Sequence, residues 1–210
     1  MRKLKRPPLP EEVQERLNTW QAEVDLHSNS KRRERWKNRK KTDTIKAVRA
    51  RLIEMSGSIE RCMYCETTAE GSIEHFQPIS LPPHRVYDWT NHLYACDRCN
   101  SSHKREKFFD AQNNRLFVDP SDAEDDPTDH LQLTSTGRMV DLDTLGRSTI
   151  QELGLNAGIL PRTRDIAWRV FEDKIVRFSR AESDEERLKV RDDVQRLSLI
   201  HISEPTRRYE

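Results

Sequence analysis

The four cysteines of the chain form two Cys-x2-Cys pairs, Cys62/Cys65 and Cys96/Cys99, with thirty residues between them. Thiolates three residues apart on a tight turn can bind one ion, and a second such pair completes a tetrahedral zinc site. Four protein ligands leave no open position, so we expect a structural Zn²⁺. Because no cysteine is left over, the spacing favours metal ligands in a reducing compartment over disulfides.

The composition argues against one large apolar core. Charged residues make up 35% of the 210 residues, and the mean hydropathy is −0.94. We therefore expect an α+β, mainly helical protein, in which thin helices surround a metal-stapled centre. The sequence has no apolar run of membrane-spanning length and no apolar signal core at its start. These features predict a soluble, cytoplasmic protein that does not bind membranes.

Basic residues concentrate in the first part of the chain. Residues 1–60 contain sixteen Lys/Arg and nine Asp/Glu, although the formal net charge of the whole chain is only +1. Eight of the basic residues lie in Lys31–Lys41. A solvated charged face is one interpretation of this run, and contact with phosphates is the other. Its position just before the cysteines favours phosphate contact, for which we select Lys37, Arg39 and Lys40.

Hydrophobic periodicity and capping residues predict the remaining elements. A strand is expected at Arg115–Pro120 and a hairpin over Leu131–Leu142. Helices are expected at Glu11–Leu26, Thr44–Met55, Ser148–Asn156, Pro161–Ala181 and Ser183 to about Leu197.

Four regions follow from this reading. Residues 1–57 form a basic arm with helices, 58–110 form the metal module, and 111–196 form a strand, loops and helices. The tail 197–210 resembles a translated sequencing adaptor, so we expect it to be non-native or disordered.

Between the cysteine pairs lies the dipeptide Glu74-His75, and Asn100 follows the second pair. Neighbouring side chains on a strand point to opposite faces, so one can bind a metal while the other faces a water molecule. Glu74 and the amide oxygen of Asn100 suit Mg²⁺, which prefers oxygen ligands. His75 could take a proton from water near neutral pH. Together these groups suffice for phosphodiester hydrolysis.

The order of these motifs resembles the HNH endonuclease family, whose active site is a ββα-metal fold. It is most similar to the PtuB branch, the nuclease component of Septu anti-phage systems, which is also found with some retrons. The matching segments are Met1-Arg-Lys-Leu-Lys-Arg-Pro-Pro8, Ile73-Glu-His-Phe-Gln-Pro78, Asp88-Trp-Thr-Asn91, Cys99-Asn-Ser-Ser-His-Lys104, Phe117-Val-Asp-Pro120 and Thr149-Ile-Gln-Glu-Leu-Gly-Leu-Asn156.

The resemblance implies a role for each matching residue. His75 would be the general base, and Glu74 the first ligand of a catalytic Mg²⁺ or Mn²⁺, a position that is Asp in most members. Asn91 would brace the loop between the strands and the helix, and Asn100 would be the second ligand. His103, read as one helical turn beyond Asn100, could bind the ion or phosphate.

Two basic residues, Lys104 and Arg105, follow in the same segment, and we expect both to contact phosphate. The other histidines, His27, His84, His92, His130 and His201, have no motif around them. For these we expect surface or packing roles.

These observations favour an HNH endonuclease that cleaves nucleic acid, DNA rather than RNA. By resemblance it would be the effector of a Septu- or retron-type defence system with a PtuA-like ATPase, and the helices at Glu11–Leu26 and Pro161–Ala181 would be docking surfaces. The alternative is a non-catalytic zinc-binding module that binds nucleic acid or serves as a scaffold. A third hypothesis is a homing or restriction-type nuclease that acts alone.

Overall fold

A computed structural model describes residues 1–57 and 60–196 of the chain. The predicted tail 197–210, including His201, lies outside these residues. The fold is a helix-rich mixture of helices and two small antiparallel sheets. None of the described helices is long and apolar enough to cross a membrane.

The elements follow one another in three groups. The first group contains the helices α1 (Glu11–Asp25), α2 (Asn29–Arg39) and α3 (Asp43–Met55). The second contains strand β1 (Gly71–His75), a 3-10 turn (Trp89–Asn91), strand β2 (His92–Cys96) and a π-helix (Arg98–Lys104). The third contains α4 (Pro127–His130), β3 (Leu131–Leu133), β4 (Met139–Asp141), α5 (Thr144–Glu152), α6 (Leu160–Arg180) and α7 (Asp184–Arg196).

Helices α1 and α3 form where the periodicity predicts them, and their apolar stripes face the core. Helix α1 buries Val13, Leu17 and Val24, and α3 buries Ile45, Val48, Leu52 and Met55. Each pair of neighbouring apolar residues is spaced so that it falls on one helical face. Because the apolar stripe of α1 is buried, it does not form the free docking surface that we expected there.

The basic run forms a helix of its own, α2, which the sequence analysis did not predict. Its anchor is Arg32, whose side chain is buried. The guanidinium donates hydrogen bonds to the carbonyl oxygens of Val24 at 3.0 Å and Asp25 at 3.2 Å. These carbonyls lie at the end of α1, where backbone acceptors lack helical partners. Arg32 therefore joins α2 to α1.

Strands β1 and β2 form the central sheet, and all five residues of β2 are buried. The register pairs Gly71 with Cys96, Glu74 with Leu93 and His75 with His92. A Cβ atom on Gly71 would lie only 2.4 Å from the carbonyl oxygen of Ala95. The first position of β1 therefore requires glycine.

Two predictions for the third group are wrong. No strand forms at Arg115–Pro120, where the described residues make only an isolated bridge between Phe109 and Arg115. The backbone N–H of Val118 donates to the hydroxyl of Thr149 instead, at 2.9 Å. Helix α5 begins at Thr144 and not at Ser148, because the carboxylate of Asp143 accepts from the N–H of Gly146 and caps the helix there.

The predicted hairpin forms from β3 and β4, and the two predicted C-terminal helices form as α6 and α7. Helix α6 has the apolar stripe that the sequence indicates, but only Phe171 of that stripe is buried. The exposed members of the stripe are Ile166, Val170, Ile175 and Phe178. Most of this apolar stripe is therefore exposed among the described residues.

Candidate active site and four-cysteine centre

The four cysteines lie together in the interior beside the central sheet. Their Sγ atoms all lie within 4.8 Å of one another, and all four residues are buried. The Sγ atoms of Cys65 and Cys96 are 3.7 Å apart. Ligands of a tetrahedral zinc with Zn–S bonds of 2.3 Å are separated by about 3.8 Å. The cluster can therefore hold a metal ion such as zinc.

This centre connects the parts of the central segment. Cys96 is the last residue of β2, and Cys99 lies in the π-helix that follows. The backbone N–H of Met63 donates to the carbonyl of Tyr94 at 2.8 Å, which ties the first cysteine turn to β2. A metal held by both pairs would fix the start of the π-helix against the sheet.

A cleft of about 410 Å³ opens beside β1 and the start of the π-helix. The three residues that the chemistry requires, Glu74, His75 and Asn100, all line it. Trp36 of α2, several residues of α3 and the segment around Pro78 form its other walls. The fold thus brings this predicted set together in one concave site.

His75 lies at the inner end of the cleft, with 9% of its surface exposed. Its Nε2 atom lies 2.9 Å from the carbonyl oxygen of Val86. A carbonyl oxygen only accepts hydrogen bonds, so Nε2 carries the proton and Nδ1 is left as the basic nitrogen. The Trp36 ring packs edge-on against the His75 ring, with centroids 4.5 Å apart. The imidazole is therefore fixed both in tautomer and in orientation.

Burial keeps His75 uncharged. Desolvation, and to a smaller extent the neighbouring His92, lowers the pKa of His75 to about 3. The ring is therefore neutral at physiological pH, which is the form that can accept a proton.

Glu74 points into the interior and pairs with a lysine. Its Oε1 atom lies 2.6 Å from Nζ of Lys104, and both side chains are buried. Burial raises the pKa of Glu74, and the Lys104 ammonium opposes this rise. The expectation that Lys104 contacts phosphate is corrected by this geometry, because the side chain has no exposed surface.

Asn100 lies close to β1 at the other side of the cleft. Its amide nitrogen donates to the hydroxyl of Ser72 at 3.1 Å. Among the described residues, its side-chain oxygen Oδ1 receives no hydrogen bond and is left as an acceptor. Carboxylate and amide oxygens are the donor set that Mg²⁺ and Mn²⁺ prefer, so Glu74 and Asn100 fit such an ion.

His103 does not line the cleft, contrary to its expected role beside Asn100. The reason is that the segment Arg98–Lys104 is a π-helix, in which the N–H of Arg105 donates to the carbonyl of Asn100 five residues earlier. A π-helix has more residues in each turn than an α-helix, so position 103 rotates away from position 100. His103 lies instead against Gly154, after α5.

Asn91 is fully buried and braces the loop that leads from β1 to β2. Its Oδ1 accepts from the N–H of Gln77 at 2.7 Å. Its Nδ2 donates to the carbonyl oxygens of Gln77 at 3.0 Å and Arg85 at 2.8 Å. These bonds hold the two ends of the loop together, and the loop includes Val86, the acceptor for His75.

The predicted phosphate contacts divide into two groups. Lys40 and Arg105 line the cleft, whereas Lys37 is exposed on α2 and Arg39 pairs with Glu23 and covers the Trp20 ring. Two further basic residues, Lys46 and Arg49 on α3, also line the cleft. Their spacing of three residues on a predicted helix was a signal in the sequence that the analysis did not use.

His92, for which we expected a surface or packing role, packs beneath the candidate base. It is fully buried, and its Nε2 lies 2.9 Å from the same carbonyl oxygen of Val86 that His75 contacts. The two ring centroids are 5.1 Å apart. His92 therefore has a specific place under the candidate base, which only the strand register reveals.

Two curated proteins are similar to this chain. "Septu protein PtuB" of Bacillus mycoides (strain KBAB4) is 32% identical, in an alignment that covers 37% of this chain and 36% of that protein. "Septu protein PtuB" of Bacillus thuringiensis is 28% identical, with 52% of this chain and 41% of that protein covered. The chain thus aligns with about two fifths or less of the length of either relative. The similarity supports a relationship to Septu proteins.

A scan against models of protein families finds no match for the chain.

Proposed function

We propose that the chain is a metal-dependent HNH endonuclease that hydrolyses phosphodiester bonds in nucleic acid, DNA rather than RNA. The observation that carries the proposal is the shared cleft of Glu74, His75 and Asn100. A neutral buried histidine, two oxygen donors and a basic rim have no common purpose in a purely structural zinc protein.

His75 is the general base of the proposed reaction. Its Nε2 is held by the carbonyl of Val86, so Nδ1 is the atom that accepts the proton of the attacking water. The low pKa keeps the ring uncharged at neutral pH, so that Nδ1 has a free lone pair. The contact with Trp36 keeps the ring from rotating.

Glu74 and Asn100 are the ligands of the catalytic ion. Mg²⁺ or Mn²⁺, when bound, supplies positive charge for the scissile phosphate and its leaving oxygen. The four cysteines hold the structural zinc, which keeps Asn100 in place through Cys99. Asn91 positions the loop that carries the acceptor for His75.

The basic residues along the cleft bind the nucleic-acid backbone. Lys46 and Arg49 of α3, Lys40 just after α2 and Arg105 just after the π-helix all line one site. Such an arrangement binds phosphates without reading sequence. Within the described chain, Lys46 and Arg49 also pair with Asp43 and Glu60, at 2.8 and 2.9 Å.

The similarity to Septu proteins supports a role in anti-phage defence, as the nuclease effector of a Septu- or retron-type system with a PtuA-like ATPase. The exposed apolar face of α6 is the surface that we assign to that partner. An exposed apolar face bordered by charged residues is typical of surfaces that contact other proteins.

A second candidate is a non-catalytic zinc-binding module that binds nucleic acid or serves as a scaffold. The ion pair between Glu74 and Lys104 favours it, because Glu74 is already neutralised without a metal.

Cleavage of plasmid and single-stranded DNA and of RNA in Mg²⁺ or Mn²⁺ distinguishes the two candidates. The full chain is assayed alone and with a PtuA-like ATPase, in parallel with the variant His75→Ala, whose zinc content is verified. Metal-dependent cleavage that is lost in His75→Ala supports the nuclease. Tight nucleic-acid binding without metal-dependent cleavage in any arm supports the scaffold.

A further inference from the structure

Lys104 is held in the interior by three contacts and is not a mobile surface side chain. Its Nζ lies 2.6 Å from Oε1 of Glu74 and 3.1 Å from the carbonyl oxygen of His75. The ammonium also lies 5.6 Å from the centroid of the Phe117 ring. With 0% of its surface exposed, Lys104 is a permanent part of the wall behind the cleft.

The π-helix ends at Lys104, and this lysine reaches β1. Because the π-turn is wider, position 103 is rotated further from position 100 than in an α-helix, while position 104 stays near the direction of position 100. The side chain of this segment that reaches Glu74 is therefore Lys104 and not His103. A local π-helix of this kind often marks a functional site.

The charges of the candidate ligand set cancel. Glu74 carries one negative charge, Lys104 pairs it with one positive charge, and the amide of Asn100 is neutral. Glu106 also lines the cleft, but its carboxylate is paired with Arg33 at 2.9 Å and accepts from the hydroxyl of Ser80. A divalent cation that enters the cleft in the absence of nucleic acid therefore meets no net negative charge from its ligands.

A phosphate group changes this balance. Mg²⁺ sites of enzymes commonly combine one or two carboxylates with phosphate oxygens of the substrate. Here the basic rim, with Lys40 and Arg105, attracts the phosphate, and the phosphate supplies the negative charge that the protein ligands lack.

We propose that Lys104 is a positioning residue that neutralises Glu74, so that the divalent ion is bound only together with the phosphate of the nucleic acid. This inference rests on the proposed nuclease function and adds an order of binding to it. In this proposal, Oε1 of Glu74 remains paired with Nζ of Lys104, and the other carboxylate oxygen of Glu74 binds the ion. Without nucleic acid, the site does not hold the ion that activates water.

Mn²⁺ binding to the zinc-loaded full chain tests the inference without relying on activity. Free Mn²⁺ is measured by electron paramagnetic resonance, with and without a short phosphorothioate oligonucleotide that resists cleavage. Binding by the oligonucleotide alone is subtracted, and Glu74→Gln identifies the part of the binding that depends on Glu74. The variant Lys104→Met removes the charge, and the matched control Lys104→Arg keeps it.

We expect the oligonucleotide to tighten Glu74-dependent Mn²⁺ binding on the order of tenfold or more in the wild type, within the usual range of coupling between ligands. Without oligonucleotide, Lys104→Met should bind Mn²⁺ about tenfold more tightly than the wild type or Lys104→Arg. A purely structural lysine would not produce tighter binding when it is removed.

Equal Mn²⁺ affinity of the wild type with and without oligonucleotide would overturn the inference, and so would weaker or unchanged binding by Lys104→Met. If Lys104→Met loses its zinc or its fold, the inference is tested by Mn²⁺ binding to the wild type with and without the oligonucleotide. Tight Mn²⁺ binding without oligonucleotide in a chain that still cleaves overturns this inference alone. Absence of Glu74-dependent binding in both arms, together with absence of cleavage, overturns the proposed nuclease as well.

Discussion

His75 and His92 face each other across β1 and β2, and the Nε2 atom of each lies 2.9 Å from the carbonyl oxygen of Val86. One acceptor thus orients two buried rings. The Nδ1 atom of His92 is buried without a hydrogen-bond partner among the described residues. Protonation of His92 would place a charge in the core with no acceptor for its new proton.

Acid should destabilise the protein through His92. Burial lowers the pKa of His92 to about 4, below the ordinary value of 6.5 expected in the unfolded chain. Between these values the unfolded chain binds more protons, so stability is complete above pH 6.5 and falls as the pH decreases towards 4. The loss from pH 6.5 to 5 should be about 2 kcal/mol from this residue.

Urea unfolding at pH 7, 6 and 5 measures this effect. His92→Phe cannot be protonated and should show a shallower decrease, while a smaller dependence remains because the pKa of His75 is also lowered. An identical pH dependence in wild type and His92→Phe would exclude His92 as the acid-sensitive group.

Asn91→Ala should destabilise the fold by about 3 kcal/mol or more, because it leaves buried backbone groups of Gln77 and Arg85 without partners. The matched control is Asn38→Ala, at an exposed position of α2, which should change the free energy of unfolding by less than about 0.5 kcal/mol. Denaturant midpoints of the two variants give the comparison. Similar small losses in both would mean that Asn91 does not brace the loop.

Cys65→Ser should lose the bound zinc and a large part of its thermal stability, since metal binding and folding are coupled at such sites. Elemental analysis and a melting curve measure both properties. The control variant His75→Ala changes a residue of β1 that is not part of the cysteine cluster, and it should retain a single zinc. Retention of zinc and of the melting temperature in Cys65→Ser would contradict a four-thiolate site.

Removal of two cleft charges should flatten the salt dependence of nucleic-acid binding. The double variant Lys40→Gln/Arg105→Gln removes residues that line the cleft, and Lys31→Gln/Arg35→Gln removes the same charge from exposed positions of α2 that do not line it. The slope of log K against log salt should decrease by about 1.4 to 1.8 in the first variant only. Equal decreases in the two variants would indicate nonspecific attraction by the whole basic run.

Periodicity and spacing predict the parts of this fold that are local. The helices α1 and α3 follow from apolar residues three or four apart, and the cysteine cluster follows from the paired spacing. The hairpin of β3 and β4 follows from alternation around Ser135-Thr-Gly137.

What the sequence did not reveal depends on register and on backbone irregularity. The place of His92 follows from its pairing with His75 across the sheet, which requires the register of β1 and β2. The displacement of His103 follows from a π-helix that has no simple signal in the sequence, and the pairing of Lys104 with Glu74 depends on how this segment packs against β1. The strand expected at Arg115–Pro120 lacked a partner strand, which a single segment cannot show.

The central claim is that His75 is the base of a nucleic-acid hydrolysis reaction. Single-turnover cleavage at saturating Mn²⁺ tests it most directly, with His75→Ala compared with His84→Ala, a histidine of the neighbouring loop that does not line the cleft. We predict that His75→Ala lowers the rate by about 10²- to 10⁴-fold at unchanged zinc content, while His84→Ala cleaves at close to the wild-type rate. Equal cleavage rates for wild type and His75→Ala would contradict the account.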